Sequence, residues 1–244
     1  MFKRAVVLAG GTGTRLRPYT VVLPKPLMPI GDYPILEVII RQLVGQGFTQ
    51  ITLALNHQAN IIRAFFGDGD KWGVQIDYSL ETKPMSTIAP LSLISDLPDN
   101  FLLMNGDVLT DLDLTGFLQR HVTAGRLFTI AGARRLQLID YGVLQVDSSH
   151  RLTGFCEKPR TEYLVSMGVY AVNRAILDFV PPDSKYGFDD LMNDLLKKGE
   201  SVTVDPFEGY WLDIGRPDDY ARAIEEFEQR KHEFLPTREV GSEK

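Results

Sequence analysis

The chain has a single cysteine, Cys156, among 244 residues. One thiol can form neither an intramolecular disulfide nor a cysteine-rich zinc site. Positive charge is also scarce: 26 Lys and Arg stand against 32 Asp and Glu, a net charge of −6. A general grip on nucleic acid needs a basic surface that displaces counterions, so no nucleic-acid partner is expected. A small anion stays open, because a few local cations suffice for it. No apolar run approaches the roughly 20 residues of a membrane span, so no membrane partner is expected. The basic start at Lys3 and Arg4 precedes only Ala5 to Ala9, shorter than a signal-peptide core. A cytoplasmic location is the default that follows. Repeats, low-complexity stretches and Pro/Ser-rich linkers are absent as well. What is present is apolar: 44% of the residues are hydrophobic, enough for a sizeable core.

Short β-branched runs alternate with helical spacing. Ala5 to Ala9 reads as a buried strand running into glycines. Ile35, Leu36, Ile39, Ile40, Leu43 and Val44 follow helical spacing, with Pro34 at the start and Gly45 and Gly47 past the end. Ile51 to Leu55 reads as a strand, Ala59 to Phe66 as a helix, Val74 to Leu80 and Phe101 to Met104 as strands. A helix from Leu114 to His121 and a strand from Leu127 to Ala133 follow. This β-α-β-α order implies a doubly wound, mostly parallel α/β sheet. After Arg134 the strands Val143 to Val146, Leu152 to Cys156 and Val165 to Val172 have no long helix between them. They predict an antiparallel lobe. Helices return at Arg174 to Phe179, Phe188 to Lys197 and Pro217 to Arg230. Cys156, inside an apolar run, is expected to be a small buried side chain, and Trp72 to pack a loop. No two of the four histidines share a motif, and His57 is read as structural.

The strongest local signal is Leu8-Ala9-Gly10-Gly11-Thr12-Gly13-Thr14-Arg15-Leu16-Arg17-Pro18. Glycines directly after a buried strand let backbone N–H groups close on an anion, and Arg15 and Arg17 can fork phosphate oxygens. The dinucleotide fingerprint fails here, because Leu16 stands where its third glycine belongs. A Walker loop fails because no Gly-Lys pair occurs in the chain. Further on, Pro24-Lys25-Pro26-Leu27 sets a lysine between two prolines, which restrict the backbone and aim the ammonium.

Together these two segments resemble the sugar nucleotidyltransferases, also called sugar-1-phosphate nucleotidylyltransferases or NDP-sugar pyrophosphorylases. The similarity continues to about Phe227. It is to the short form, without the C-terminal β-helix of longer relatives. It implies a Rossmann-like, glycosyltransferase-A-type fold, with a mostly parallel sheet and a small antiparallel sugar-binding lobe. One catalytic domain is expected over residues 1–230, followed by a polar tail at 231–244. The implied reaction joins an NTP and a sugar 1-phosphate into an NDP-sugar and pyrophosphate, with Mg²⁺ as cofactor and one or two metal ions. The implied partners are thus those two substrates, and a homo-oligomer is left open.

The resemblance also distributes roles. Leu8, Gly10, Gly11, Thr12, Gly13 and Thr14 would hold the nucleotide, with Arg15 and Lys25 catalytic. Asn105-Gly106-Asp107 follows a buried run, and Asp107 would bind the metal. Tyr210-Trp211-Leu212-Asp213-Ile214-Gly215 resembles the family's Trp-x-Asp-[Ile/Val]-Gly motif, whose aspartate completes the metal site, here Asp213. Asp111 and Asp113 read as helix-entry carboxylates. Glu157-Lys158-Pro159 would meet the sugar and its phosphate through Glu157 and Lys158, with Gly142 and Gly168 lining the sugar pocket. Glu81 to Leu91 aligns with the base-recognition stretch, assigning Glu81, Ser86 and Thr87 to the nucleotide; Ser86 and Ala89 replace the usual glycines. Pro90 and the motif order favour GTP with a mannose- or heptose-type 1-phosphate. The alternatives are UTP or dTTP with glucose 1-phosphate or an amino-sugar 1-phosphate, and a catalytically inactive nucleotide-sugar binder.

Overall fold

The computed structural model describes residues 3–11, 13–56 and 59–235. Thr12 and His57 therefore lie outside the described residues. In chain order the elements are β1 (Arg4–Leu8), β2 (Pro29–Ile30), β3 (Tyr33–Pro34), α1 (Ile35–Gly45), β4 (Gln50–Leu55), α2 (Ala59–Phe66) and β5 (Gln75–Leu80). Then come β6 (Asn100–Asn105), β7 (Val108–Thr110), α3 (Leu114–Thr123), β8 (Phe128–Leu138), β9 (Gly142–Val146), β10 (Leu152–Glu157) and β11 (Arg160–Asn173). The chain closes with α4 (Phe188–Lys198), β12 (Val202–Phe207), β13 (Trp211–Asp213) and α5 (Pro217–Phe234).

Seven strands form the main sheet in the order β12-β8-β11-β6-β1-β4-β5. β1 runs parallel to β4 and β6, β4 to β5, and β12 to β8. Only β11 is antiparallel to its neighbours β6 and β8. The chain winds outward from β1 through β4 and β5, then returns to place β6 on the other side of β1. Such a reversal opens a crevice at the carboxyl ends of the strands, where open α/β sheets take ligands.

Both faces of this sheet are covered, which is why its central strands read as continuous apolar runs. Ala5, Val7, Leu102 and Met104 join one core with α1 and with Phe227 and Phe234 of α5. Val6, Phe101 and Leu103 point the other way, into a second core with Phe128, Tyr170, Leu191 and Leu195. Burying each such side chain stabilises the fold by about 1.5–3 kcal/mol.

Several expectations change. The last helix runs past Arg230 to Phe234, whose ring is wholly buried and stacks on Phe227. Val202–Phe207 forms an unforeseen strand; its Pro206 removes a ladder donor, which fits the sheet edge where β12 lies. Cys156 is exposed, not buried, because the β9–β10 hairpin stands away from both cores. Asp113 does cap α3, accepting from the Gly116 amide at 2.8 Å. Asp111 instead accepts from the Tyr210 amide at 2.8 Å, tying the loop before β13 to the end of β7. Trp72 packs a loop as expected, buried and donating to Glu37.

Candidate active site

The crevice beside β1 holds two adjoining clefts. The larger, about 680 Å³, is lined by Leu8, Gly10, Gly11, Asn56, Glu81, Lys83, Ser86, Thr87, Asn105 and Asp107, among others. Its size suits a small organic ligand. The smaller, about 270 Å³, is lined by Gly13, Thr14, Arg15, Lys25, Asp107 and Gly215, among others. Asp107 belongs to both.

The glycine turn is shaped by its contacts. Gly13 has φ 61°, and a Cβ there would sit 2.8 Å from Thr20 Cγ2, so only glycine fits. Thr20 donates to the Gly13 carbonyl at 2.7 Å, holding the turn against the segment that follows. Lys25 begins a 3-10 turn between its two prolines. Its largely buried ammonium forms an ion pair with Asp107 Oδ2.

The second carboxylate arrives from the far end of the chain. β13 pairs antiparallel with β7, setting Asp213 opposite Val108, and the Ile214 amide donates to the Asp107 carbonyl at 3.0 Å. Two three-residue strands thus join Asp107 and Asp213 into one site. Burial pushes the Asp213 carboxyl above the usual carboxylate range, and the Asp107 charge pushes it the same way; Lys25 and Arg15 pull it back. A Cβ built on Gly215 would lie 3.2 Å from Asp213 Oδ2 and 3.3 Å from Arg15 Nη2, so both side chains converge there.

These residues fit a divalent cation. Asp107 Oδ1 is buried and has no hydrogen-bond partner among the described residues. Two mutually repelling carboxylates flank a cleft, and Mg²⁺ characteristically takes one or two carboxylates plus phosphate oxygens and waters. Among the described residues no cluster of three or more His, Cys, Asp or Glu side chains offers an all-protein cage.

The base-side stretch is built largely by internal bonds. Glu81 Oε2 accepts from the Met85 amide at 2.9 Å, and Glu81 Oε1 lies 3.1 Å from where a Cβ on Gly10 would be. Ser86 has φ 72°, the left-handed backbone that a glycine would supply. The Thr87 hydroxyl accepts from the Phe188 amide at 2.9 Å, at the start of α4. Gly168 also has φ 72°, in a bulge of β11, with a notional Cβ 2.5 Å from Asn105 Nδ2. That puts the bulge two residues from Asp107.

Gly142, Glu157 and Lys158 sit on the β9–β10 hairpin, outside both clefts. Gly142 and Glu157 are opposite one another. Lys158 pairs with Asp140 at 2.8 Å, and both are exposed. Cleft residues without a role in the sequence reading include Asn56, which donates to the Gly10 carbonyl, Lys83, which reaches the Asp183 carbonyl at 3.0 Å, and Gly215. Asn56 directly follows the strand Ile51 to Leu55 and Gly215 ends the quoted Tyr210 to Gly215 motif, so their place just past strands was the available signal.

The family model described as nucleotidyl transferase matches residues 4–230. A UTP--glucose-1-phosphate uridylyltransferase of Synechocystis sp. is 33% identical, covering 91% of this chain and 62% of its own length. A mannose-1-phosphate guanyltransferase of Gibberella zeae is 31% identical, covering 89% and 62%. The chain thus spans about 62% of the length of these relatives. The crystal structure of HddC from Yersinia pseudotuberculosis superposes with a TM-score of 0.73 at 26% identity, covering 93% of this chain and 100% of that one. The same protein complexed with GMP-PN gives 0.72 at 25% identity, with the same coverage. No helix among the described residues is long and apolar enough to cross a membrane. With a family model matched over residues 4–230, the chain belongs to the nucleotidyl transferase family.

Proposed function

We propose that this chain transfers a nucleotidyl group from an NTP to a sugar 1-phosphate. The observation that carries the reading is the cluster at the end of β1 and β6. Asp107 and Asp213 stand together, one with a bare buried oxygen, beside Lys25, Arg15 and the glycine turn. In the reaction an oxygen of the sugar phosphate bonds to the α-phosphorus, and the α–β bridging bond breaks. Pyrophosphate leaves with the electron pair. The nucleophile is already an anion, so no protein base is required, and catalysis is positioning and charge neutralisation.

The amides of residues 10–14 cradle the phosphates. Arg15 stabilises the leaving pyrophosphate, and Lys25 the charge on the α-phosphoryl oxygens. Asp107 and Asp213 would hold Mg²⁺, which when bound neutralises phosphate charge. Gly142, Glu157, Lys158 and Gly168 receive the sugar 1-phosphate. The exposed Lys158–Asp140 pair is worth at most about 1 kcal/mol, so a phosphate competes for the ammonium readily.

For the substrates, GTP and a manno-configured sugar 1-phosphate are favoured. The Gibberella relative is named for that pair, and HddC has been crystallised with GMP-PN. The Synechocystis relative supports UTP with glucose 1-phosphate as the second reading. Pyrophosphate release is measured for GTP, UTP, dTTP and CTP against mannose, heptose and glucose 1-phosphates. The first reading expects GTP with a manno-type sugar to give the highest kcat/KM. A higher value for UTP and glucose 1-phosphate selects the second, and no release from any pair overturns both.

A further inference from the structure

The segment leading into α4 holds the base-side wall of the larger cleft from behind. Residues 181–187 form neither helix nor strand, and none of them lines the cleft. Their bonds nevertheless run to the stretch that does. The Tyr186 amide donates to the Met85 carbonyl at 3.1 Å, and the Tyr186 carbonyl accepts from the Ile88 and Ala89 amides at 3.1 and 3.0 Å. The Lys83 ammonium donates to the Asp183 carbonyl at 3.0 Å, and the Phe188 amide to the Thr87 hydroxyl at 2.9 Å. Tyr186 is itself buried in the second core and donates to Asp194 Oδ2 at 2.9 Å. The brace is therefore anchored both to α4 and to the core beneath it.

Within the brace, Gly187 and Ser86 compete for one space. A Cβ built on Gly187 would lie 2.8 Å from Ser86 Oγ, too close for a side chain to fit unless something moves. Gly187 has φ −102°, extended backbone open to any residue, so contact and not conformation keeps position 187 bare. The other near atom, Asp189 Oδ1 at 2.6 Å, is the tip of an exposed side chain that can swing away. Ser86 has less freedom. Its backbone is held at φ 72°, and both its neighbours, Met85 and Thr87, are bonded to the brace. It would answer a Cβ at 187 by turning its hydroxyl to another staggered position, and Ser86 lines the larger cleft.

We propose that Gly187 is a positioning residue for base selection: the bare backbone at 187 sets the direction of the Ser86 hydroxyl, and that direction decides which nucleobase the larger cleft prefers. The inference rests on the reading of that cleft as the NTP site. A hydroxyl both donates and accepts, and nucleobases differ in where they present carbonyl and amino groups. Turning the hydroxyl changes which base finds a partner and which leaves a buried group unpaired. Contacts of the glycine turn and Asp107 with phosphate and metal are common to every NTP, so they do not alter the ranking.

Titration calorimetry with GTP, UTP, dTTP and CTP in the presence of Mg²⁺ tests it, on wild type, Gly187→Ala, Ser86→Gly and the double variant. Gly187→Ala should shift the Kd ratio between the best nucleotide and at least one other by about 3-fold or more. In the Ser86→Gly background the same alanine should shift no ratio beyond error, because the hydroxyl it displaces is gone. Alanine at this N-cap also weakens the start of α4, but that loss acts in both backgrounds and on all four nucleotides alike. Asp189→Ala, which removes the other near atom, should leave the ratios unchanged. Unshifted ratios in Gly187→Ala, an equal shift with and without the Ser86 hydroxyl, a shift in Asp189→Ala, or a wild type that binds all four alike or none overturns the proposal. The expected cycle without pyrophosphate release from any substrate pair would support it and overturn the transfer reading instead.

Discussion

At the residue scale, Asp213 carries a cost that its neighbours only partly relieve. Its carboxyl is held above the usual range by burial and by the Asp107 charge. An acid with a raised folded pKa binds more protons folded than unfolded, so it weakens the fold at neutral pH and recovers stability as pH falls through the folded pKa. Asp213→Asn should therefore raise the Tm of the metal-free protein at pH 7, while turnover drops on the order of 100-fold or more. Thermal unfolding and pyrophosphate release on one preparation check both; a lower Tm with normal turnover would remove Asp213 from the site. Ser86 makes a second residue-scale case. Its left-handed backbone costs about 1–2 kcal/mol, and the freedom glycine gains in the unfolded chain offsets about half of that relief. Ser86→Gly should raise the Tm slightly and change the kcat/KM ranking of GTP, UTP, dTTP and CTP, since Ser86 lines the larger cleft. An unchanged ranking would mean that this side chain does not select the base.

At the element scale, the bulge in β11 positions the end of β6. Gly168→Ala would meet Asn105 Cγ at 3.0 Å as well as its Nδ2, and alanine is strained at that φ. The expected outcome is a loss of about 2 kcal/mol in stability and a lower kcat, because Asn105 is displaced beside Asp107. Denaturant unfolding and steady-state kinetics measure the two effects. Elements of this kind mark the limit of what the sequence reveals. Helix Ala59–Phe66 was legible because its apolar spacing is strong, and β1 and β6 because runs buried on both faces contain little else. β7 and β13 have three residues each, too few to show any period, yet they join the two carboxylates. That Asp107 and Asp213 should share a site was expected from resemblance; how two such short strands bring them together came only from the fold. Cys156 misled because an apolar strand looks the same whether or not anything covers it.

For the whole molecule, acid sensitivity should centre on His121, wholly buried between α3 and β8. Its Nδ1 lies 2.8 Å from Thr129 Oγ1, while Nε2 has no partner among the described residues. Burial, and then the nearby Arg126 charge, lower its pKa to about 4. The unfolded chain takes up this proton near pH 6.5 and the folded chain only near pH 4, so stability falls as pH drops through that window, by on the order of 3 kcal/mol. Chemical denaturation at a series of pH values should show the slope, and His121→Gln should flatten it. An equal slope in that variant would place the acid sensitivity elsewhere.

The pairing of β7 with β13 also sets an order of events during synthesis. Everything on the Asp107 side of the site emerges from the ribosome while Asp213 is still untranslated, 106 residues later. At translation rates of about 5–20 residues per second, that interval is roughly 5–20 s. Throughout it the nascent chain can build the strands around β1 but has no mate for β7. A ligand that needs both carboxylates can therefore assist only a chain already translated past Asp213, and until then the growing sheet depends on its own strand pairing and apolar burial.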